Sequence, residues 1–221
     1  MPDDETRTFT ATFSILGSNQ MPTSFRKSIA LRFGQFRANC AGVAAVEFAF
    51  IAPVLMIMTI GIAEASRAVM MHKRYQRSVA MVGDLVSRED AIGTTAAEAT
   101  AEMAGMMKAA EQAMAPYSFA TLKIGVSAIM APIAPATQTT VAWSYPYHSY
   151  PVSACGANKN MPAANMISAG NAAILVEGQY TYTPLIANLI PGFKGSVTWT
   201  DTIAYSPRGA CPDYAGKKCS C

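Results

Sequence analysis

The sequence holds little of what an enzyme or a nucleic-acid-binding protein needs. Histidine occurs twice in 221 residues, charged residues make up 14% of the chain, and the formal net charge is +3. A glycine-rich phosphate loop, a Gly-x-Ser-x-Gly pattern and a His-Glu-x-x-His pattern are all missing from the sequence. Without a basic excess, no nucleic acid partner is predicted. We therefore expect no enzymatic activity, no catalytic residues, no metal and no cofactor.

Charge is also nearly absent from one long stretch. From Gly42 to Ala63 the single ionisable side chain is Glu47. A helix of this length rises about 33 Å at ~1.5 Å per residue, which is enough to cross a hydrocarbon core of roughly 30 Å. Residues 43–63 are therefore predicted to form a transmembrane helix. A carboxylate inside a span is costly, so Glu47 either snorkels to the near interface or serves a function or a partner.

The start of this stretch carries a pattern found in a known family. The run from Cys40 to Pro53 reads Cys-Ala-Gly-Val-Ala-Ala-Val-Glu-Phe-Ala-Phe-Ile-Ala-Pro. It resembles the TadE-like family of pilus assembly proteins, in a segment extending over about residues 38–80. Gly42 followed by Glu47 is similar to the prepilin-peptidase site of type IV pilins and pseudopilins. The chain departs from the pattern just before the glycine, where an arginine or a small polar residue is common.

The resemblance implies a membrane-anchored pseudopilin or minor pilin that takes part in assembly of a bacterial Tad-type (Flp) pilus. A prepilin peptidase would cut between Gly42 and Val43, because glycine leaves the backbone open to the enzyme. Glu47 and Phe48 would serve peptidase recognition or assembly, with Glu47 paired to the new amino terminus of a neighbouring subunit. The implied partners are the inner membrane, the prepilin peptidase and the other pilins and pseudopilins of the Tad machinery.

An alternative function comes from a different class. The chain is then a single-span periplasmic binding module, or an adhesin-like protein, that is not incorporated into a pilus. A further interpretation is secretion, because Ala63-Glu64-Ala65 has the form of a signal-peptidase site with a cut before Ser66. Against secretion, the apolar region is longer than the 7 to 15 residues that are usual in such signals.

Residues 1–42 are interpreted as a cytoplasmic basic leader. Its basic residues near the span are typical either of an amphipathic stretch on the membrane surface or of an ordinary cytoplasmic flank. The far flank of the span is equally basic, so charge does not decide the orientation. We predict a single-pass protein of the bacterial inner membrane, with a cytoplasmic amino terminus and a periplasmic carboxyl-terminal domain, which also makes it a candidate component of a surface pilus.

The cysteines support that orientation. One cysteine lies in the leader and four follow the span. An even number after the span fits an oxidising periplasm and two disulfides, with three possible pairings. Two of them are separated by a single residue, too short a loop for a relaxed bridge, so each is expected to pair elsewhere. The disulfide candidates are Cys155, Cys211, Cys219 and Cys221.

Residues 64–116 are predicted to form a periplasmic helical stalk. The span continues as one long helix, because no proline occurs between 54 and 115, whereas Pro53 allows a kink inside it. A second helix begins at a capping box, Thr95-Ala-Ala-Glu98, and its methionine stripe is read as core packing rather than as a docking face or a copper site. The predicted inner stripe of the first helix is Ala68, Val69, His72, Tyr75, Val79, Val82 and Val86.

Residues 117–221 are predicted to form a periplasmic β-rich head with disulfides. Its strands are expected to form a small antiparallel sheet laid on the stalk helix, so the fold class is α+β and pilin-like. The stretch Ala173–Leu185 also resembles the TadE-like family. The tyrosine-rich loop 145–164 is read as decoration of the head, with sugar binding as the alternative. The predicted strands are Phe119–Ile129, Gln138–Tyr145, Ala172–Tyr182 and Gly195–Tyr205.

Overall fold

The computed structural model of the chain describes residues 41–133, 138–162, 166–188 and 195–219. The chain divides into two compact units, Met1–Met58 and Thr59–Cys221. In the first unit the described residues all belong to helix α1, Ala41–Arg88, which continues into the second unit. The predicted basic leader lies outside the described residues, apart from its last two positions.

In the second unit, one face of α1 is buried at regular helical spacing. Tyr75, Val79 and Val82 are fully buried, and the spacing of three and four residues keeps them on the same side of the helix. Val69 is the exception to the predicted stripe, since 54% of its side chain is exposed. The buried residue one turn before Tyr75 is Met71. Residues two positions apart lie on nearly opposite sides of a helix, so Val69 faces outward.

A short strand and a second helix follow α1. Strand β1, Ala91–Ile92, leads into helix α2, Ala96–Met114. Thr95 is the N-cap and accepts a hydrogen bond from the amide of Glu98 (3.3 Å). The Glu98 carboxylate reaches the amide of Thr94 (3.0 Å) and its hydroxyl, and these bonds lower the pKa of Glu98. The hydroxyl half of the predicted capping box is therefore present, whereas the carboxylate binds Thr94, one residue before the cap.

The methionine stripe of α2 packs into the core, as the sequence predicts. The helix is amphipathic, since its buried residues follow one side and the carboxylates of Glu98 and Glu102 are exposed. The buried residues of α2 are Ala99, Met103, Met107, Ala110 and Met114.

Four antiparallel strands form the main sheet, in the order β3-β2-β4-β5. The sheet follows two helices in the chain, so the α+β class with a long amino-terminal helix is confirmed. A second, two-stranded parallel sheet pairs β1 with β6 and has no counterpart in the sequence prediction. The strands after α2 are β2 Lys123–Met130, β3 Thr140–Tyr147, β4 Ala172–Tyr182, β5 Val197–Tyr205 and β6 Asp213–Tyr214, with a 3-10 helix at Leu185–Asn188 between β4 and β5.

Three of the four predicted strands differ from the observed strands in their bounds, and the two differences described next have local reasons. Strand β2 begins four residues later than predicted, because the amide of Leu122 donates to the carbonyl of Phe119 (2.9 Å) and closes a turn. Strand β3 extends two residues beyond its predicted end, to Tyr147, because its register with β2 continues to Ile124. The boundaries of β4 are those predicted.

The two faces of the sheet have different coverings. The face toward the helices contributes Ile124, Val126 and Ile174 to the core that they share with α1 and α2. Gly178 allows this approach, because a side chain there would collide with Val79 and with the ring of Tyr75. The other face carries a smaller apolar cluster and is contacted by the loop that follows β3.

Candidate membrane and assembly segment

The amino-terminal half of α1 is apolar on every side and buried on none. Over Gly42–Arg88, the most apolar 18-residue window has a mean hydropathy of 2.3, and none of that window is buried. A helix that packs inside a soluble core buries at least one face, whereas this one offers apolar side chains in all directions. It is long and apolar enough to cross a membrane. Its exposed large side chains are Val43, Val46, Phe48, Phe50, Ile51, Val54, Leu55, Met56, Ile57, Met58, Ile60 and Ile62.

The predicted processing site lies at the first described turn of this helix. A side chain built at Gly42 would meet nothing within 4 Å beyond the helix's own backbone, so packing does not require a glycine there. Val43, on the other side of the predicted cut, is 59% exposed. The sterically open backbone is compatible with peptidase access, and cleavage itself stays a prediction.

Glu47 lies one turn after Val43, on the same side of the helix. Its side chain is exposed, and no ion pair in the described ranges involves it. The next residue, Phe48, is 65% exposed. Both predicted recognition residues are thus exposed on the helix. The described residues of the chain supply no ion-pair partner for Glu47.

Helix α1 runs through Pro53 without interruption. Proline has no amide hydrogen, so the carbonyl one turn earlier, at Ala49, loses its helical hydrogen bond. The predicted kink stays a prediction, while the continuity of the helix through this position is observed.

Glu64, the first charged residue after the apolar run, joins α1 to the end of β4. Its carboxylate accepts hydrogen bonds from the hydroxyl of Tyr182 and from the amide of Leu185 (3.0 Å). Burial, together with the bond to Glu64 and its negative charge, raises the pKa of Tyr182 to about 12. The sequence analysis did not predict this contact. The sequence feature that could have indicated it is the single carboxylate immediately after the apolar run.

A disulfide between Cys211 and Cys219 closes a loop near the carboxyl terminus, with the two Cα atoms 5.8 Å apart. Cys155 is also disulfide-bonded. The fourth candidate, Cys221, lies outside the described residues. The closed loop contains β6 and the carbonyl of Pro212, which accepts a hydrogen bond from the indole of Trp143 (2.9 Å). The disulfide therefore holds a segment that is packed on the sheet.

The predicted tyrosine-rich loop 145–164, whose first residues form the end of β3, is engaged within the fold. The hydroxyl of Tyr147 donates to Glu111, and its ring stacks on His148 at 3.9 Å between centroids. The Nδ1 atom of His148 lies 2.8 Å from the carbonyl of Leu122. These contacts favour the structural interpretation of the loop over the sugar-binding one.

The remaining acidic residues considered for a catalytic or metal site do not lie together in the fold. Glu177 binds Lys159 through both carboxylate oxygens (2.8 Å), on the sheet face away from the helices. Asp201 lies opposite Gly178 in the register of β4 and β5, on the helix face. In the part of the chain that the structure describes, no three His, Cys, Asp or Glu side chains are grouped so as to hold a metal ion.

Comparison with protein-family models gives one match. Residues 42–83 match the model described as TadE-like protein. The segment is similar to the TadE-like family, and the match covers 42 of the 221 residues of the chain. The match contains the whole exposed apolar stretch and the buried stripe of α1 as far as Val82. No curated protein and no solved structure matches the chain.

Proposed function

We propose that the protein is a membrane-anchored pseudopilin or minor pilin that takes part in assembly of a bacterial Tad-type (Flp) pilus. The observation that carries the proposal is the TadE-like match over 42–83, on a helix whose apolar side chains are exposed on every side. The role is structural rather than enzymatic. The stalk and head, at 64–116 and 117–221, face the periplasm, and the amino terminus faces the cytoplasm.

In this proposal a prepilin peptidase removes the leader after Gly42. The new amino group of Val43 is then one helical turn from Glu47, about 6 Å along the axis at ~1.5 Å per residue. A carboxylate and an ammonium group from neighbouring subunits neutralise each other in lipid, where either charge alone is costly. That pairing fixes the register between adjacent helices, a known use of buried polar groups.

Secretion by cleavage before Ser66 is less compatible with the fold. Such a cut would remove Glu64, and with it the acceptor for both Tyr182 and Leu185. It would also remove the apolar segment, leaving the rest of α1 with the buried stripe that begins at Met71. Retention of the anchor keeps the contacts of Glu64.

The decisive experiment is amino-terminal sequencing of the protein recovered from the membrane fraction of its host. A start at Val43 supports the proposal. An intact leader supports the alternative, a single-span binding or adhesin-like module outside a pilus. A start at Ser66 means secretion and contradicts the proposal.

A second experiment separates processing from assembly. We expect Glu47→Ala to leave cleavage largely intact and to reduce pilus number, because the charge partner of the neighbouring amino terminus is lost. Phe50→Ala is the matched control, since Phe50 is 78% exposed on the same helix and carries no charge. Normal pilus numbers in the Glu47 variant contradict the assigned role. Crosslinking at positions 48–58 then shows whether this helix contacts other helices, as a bundle requires, or lipid alone.

A further inference from the structure

Two exposed apolar side chains lie in the second unit near Glu64 of α1. Leu185, in the 3-10 helix, is 64% exposed, and Val197, at the start of β5, is 49% exposed. We call these two residues the base patch. Their exposure has no explanation in the packing of the sheet on the helices.

The position of the base patch is fixed by hydrogen bonds to Glu64. The amide of Leu185 donates to this carboxylate (3.0 Å), and so does the hydroxyl of Tyr182. Tyr182 is the register partner of Val197 on the neighbouring strand. Because Glu64 immediately follows the apolar run, Leu185 is held beside the residue at which α1 becomes polar. The membrane boundary predicted from the sequence lies at the same level.

The side chains around the base patch are of the type found at membrane interfaces. Trp199 stacks on Tyr182, with ring centroids 5.3 Å apart, and meets the edge of His72 at 4.9 Å. Arg67 is close enough for its positive charge to oppose the rise in the pKa of Tyr182. Aromatic rings and basic side chains together are typical of the zone between hydrocarbon and water.

We propose that the base patch rests on the lipid surface at the point where α1 leaves the membrane. The inference depends on the membrane anchoring in the proposed function, and it does not depend on pilus assembly. Lipid is favoured over a protein partner because the amide of Leu185 is hydrogen-bonded to Glu64, which directly follows the apolar run, and because aromatic and basic side chains lie around the patch. The head is then oriented by contact at its base as well as by the helix.

The test uses the full chain reconstituted into vesicles of phosphatidylethanolamine and phosphatidylglycerol, with the photoreactive residue benzoylphenylalanine placed at 185. Ile133 is the matched control position, because it is an apolar residue that is 86% exposed. It follows the end of β2 that pairs with Ala172, ten residues and about 33 Å along β4 from Tyr182 at ~3.3 Å per residue. Met56, which is 66% exposed in the apolar segment, reports the anchor itself.

We expect phospholipid adducts at 185 to exceed those at 133 severalfold, with strong adducts at 56. Equal background at 185 and 133, with strong adducts at 56, overturns the inference and leaves the anchor intact. Background at all three positions overturns the anchor as well. Adducts from 185 to a second copy of the chain also overturn the inference, since they make the patch a protein contact. Benzoylphenylalanine placed at Val197 in a separate variant tests the same lipid contact independently. Unchanged tryptophan emission shows that the head of each variant is folded.

Discussion

Removal of the Glu64 carboxylate should loosen the attachment of α1 to the end of β4. Glu64 accepts one hydrogen bond from a buried hydroxyl, since Tyr182 is 3% exposed, and one from the amide of Leu185 at an exposed position. Hydrogen bonds to charged groups contribute about 1.5–3 kcal/mol each, and exposure reduces this. We therefore expect Glu64→Ala to lower the free energy of unfolding by about 2 kcal/mol, and Glu64→Gln, which keeps a neutral acceptor, by about 1 kcal/mol.

A double-mutant cycle with Tyr182→Phe isolates the bond between the two side chains. The phenylalanine keeps the ring that stacks on Trp199 and removes only the hydroxyl. We expect a coupling energy of about 1 kcal/mol between the two substitutions, because groups in direct contact are not additive. The assay is urea unfolding of the full chain in detergent, followed by tryptophan emission, with unchanged m-values as the condition for comparison.

The control for this cycle is Glu89→Ala, which removes an exposed carboxylate just after α1. Its effect should stay within about 0.5 kcal/mol, as for surface substitutions in general. Additive effects of the Glu64 and Tyr182 substitutions would refute the reasoning. So would a loss of stability in the control equal to that of Glu64→Ala.

Three further predictions concern the second unit. Cys211→Ser opens the Cys211–Cys219 loop of sequence separation 8 and should cost about 2.5 kcal/mol on the loop-entropy relation, measured by urea unfolding against the oxidised wild type. Gly178→Ala should cost about 1–3 kcal/mol in the same assay, because the new methyl group overlaps buried side chains of α1, whereas Gly105→Ala meets nothing in α2 and should stabilise by up to about 1 kcal/mol. The pKa of Tyr182 is raised from its ordinary 10.0 to about 12 in the folded protein. The unfolded chain therefore loses the hydroxyl proton at a lower pH than the folded chain, and the free energy of unfolding should fall as the pH rises between those values. Tyr182→Phe should show a shallower fall over that range, and equal slopes would contradict the assignment.

Local sequence patterns predict much of the fold. The spacing of Tyr75, Val79 and Val82 identifies the buried face of α1, since three- and four-residue steps define one side of a helix. The bounds of β4 could be predicted because Gly170 precedes its run of apolar and β-branched residues and Pro184 follows it. In these cases the signal lies within a few residues of the element that it predicts.

Other features depend on residues far apart in the chain, and no local pattern indicates them. The parallel pairing of β1 with β6 involves two residues from each strand, too few to show a period. Trp143 stacks on Tyr214 at 5.0 Å between centroids, and Glu64 reaches Tyr182 across a sequence separation of 118. A glycine inside a strand does indicate close backbone approach, so Gly178 was a usable signal, but its partner was not predictable.

The TadE-like match covers two parts of one helix that lie in different environments. Before Glu64 the side chains are exposed on all sides, whereas from Met71 to Val82 one side is buried against the sheet and α2. Substitutions such as Ile57→Ala therefore change a surface that the described residues leave exposed, and they should leave the unfolding of the second unit unaltered. Substitutions in the buried stripe act on folding first. Glu64 marks the change between the two environments, because its carboxylate binds the end of β4 at the point where the exposed apolar run stops.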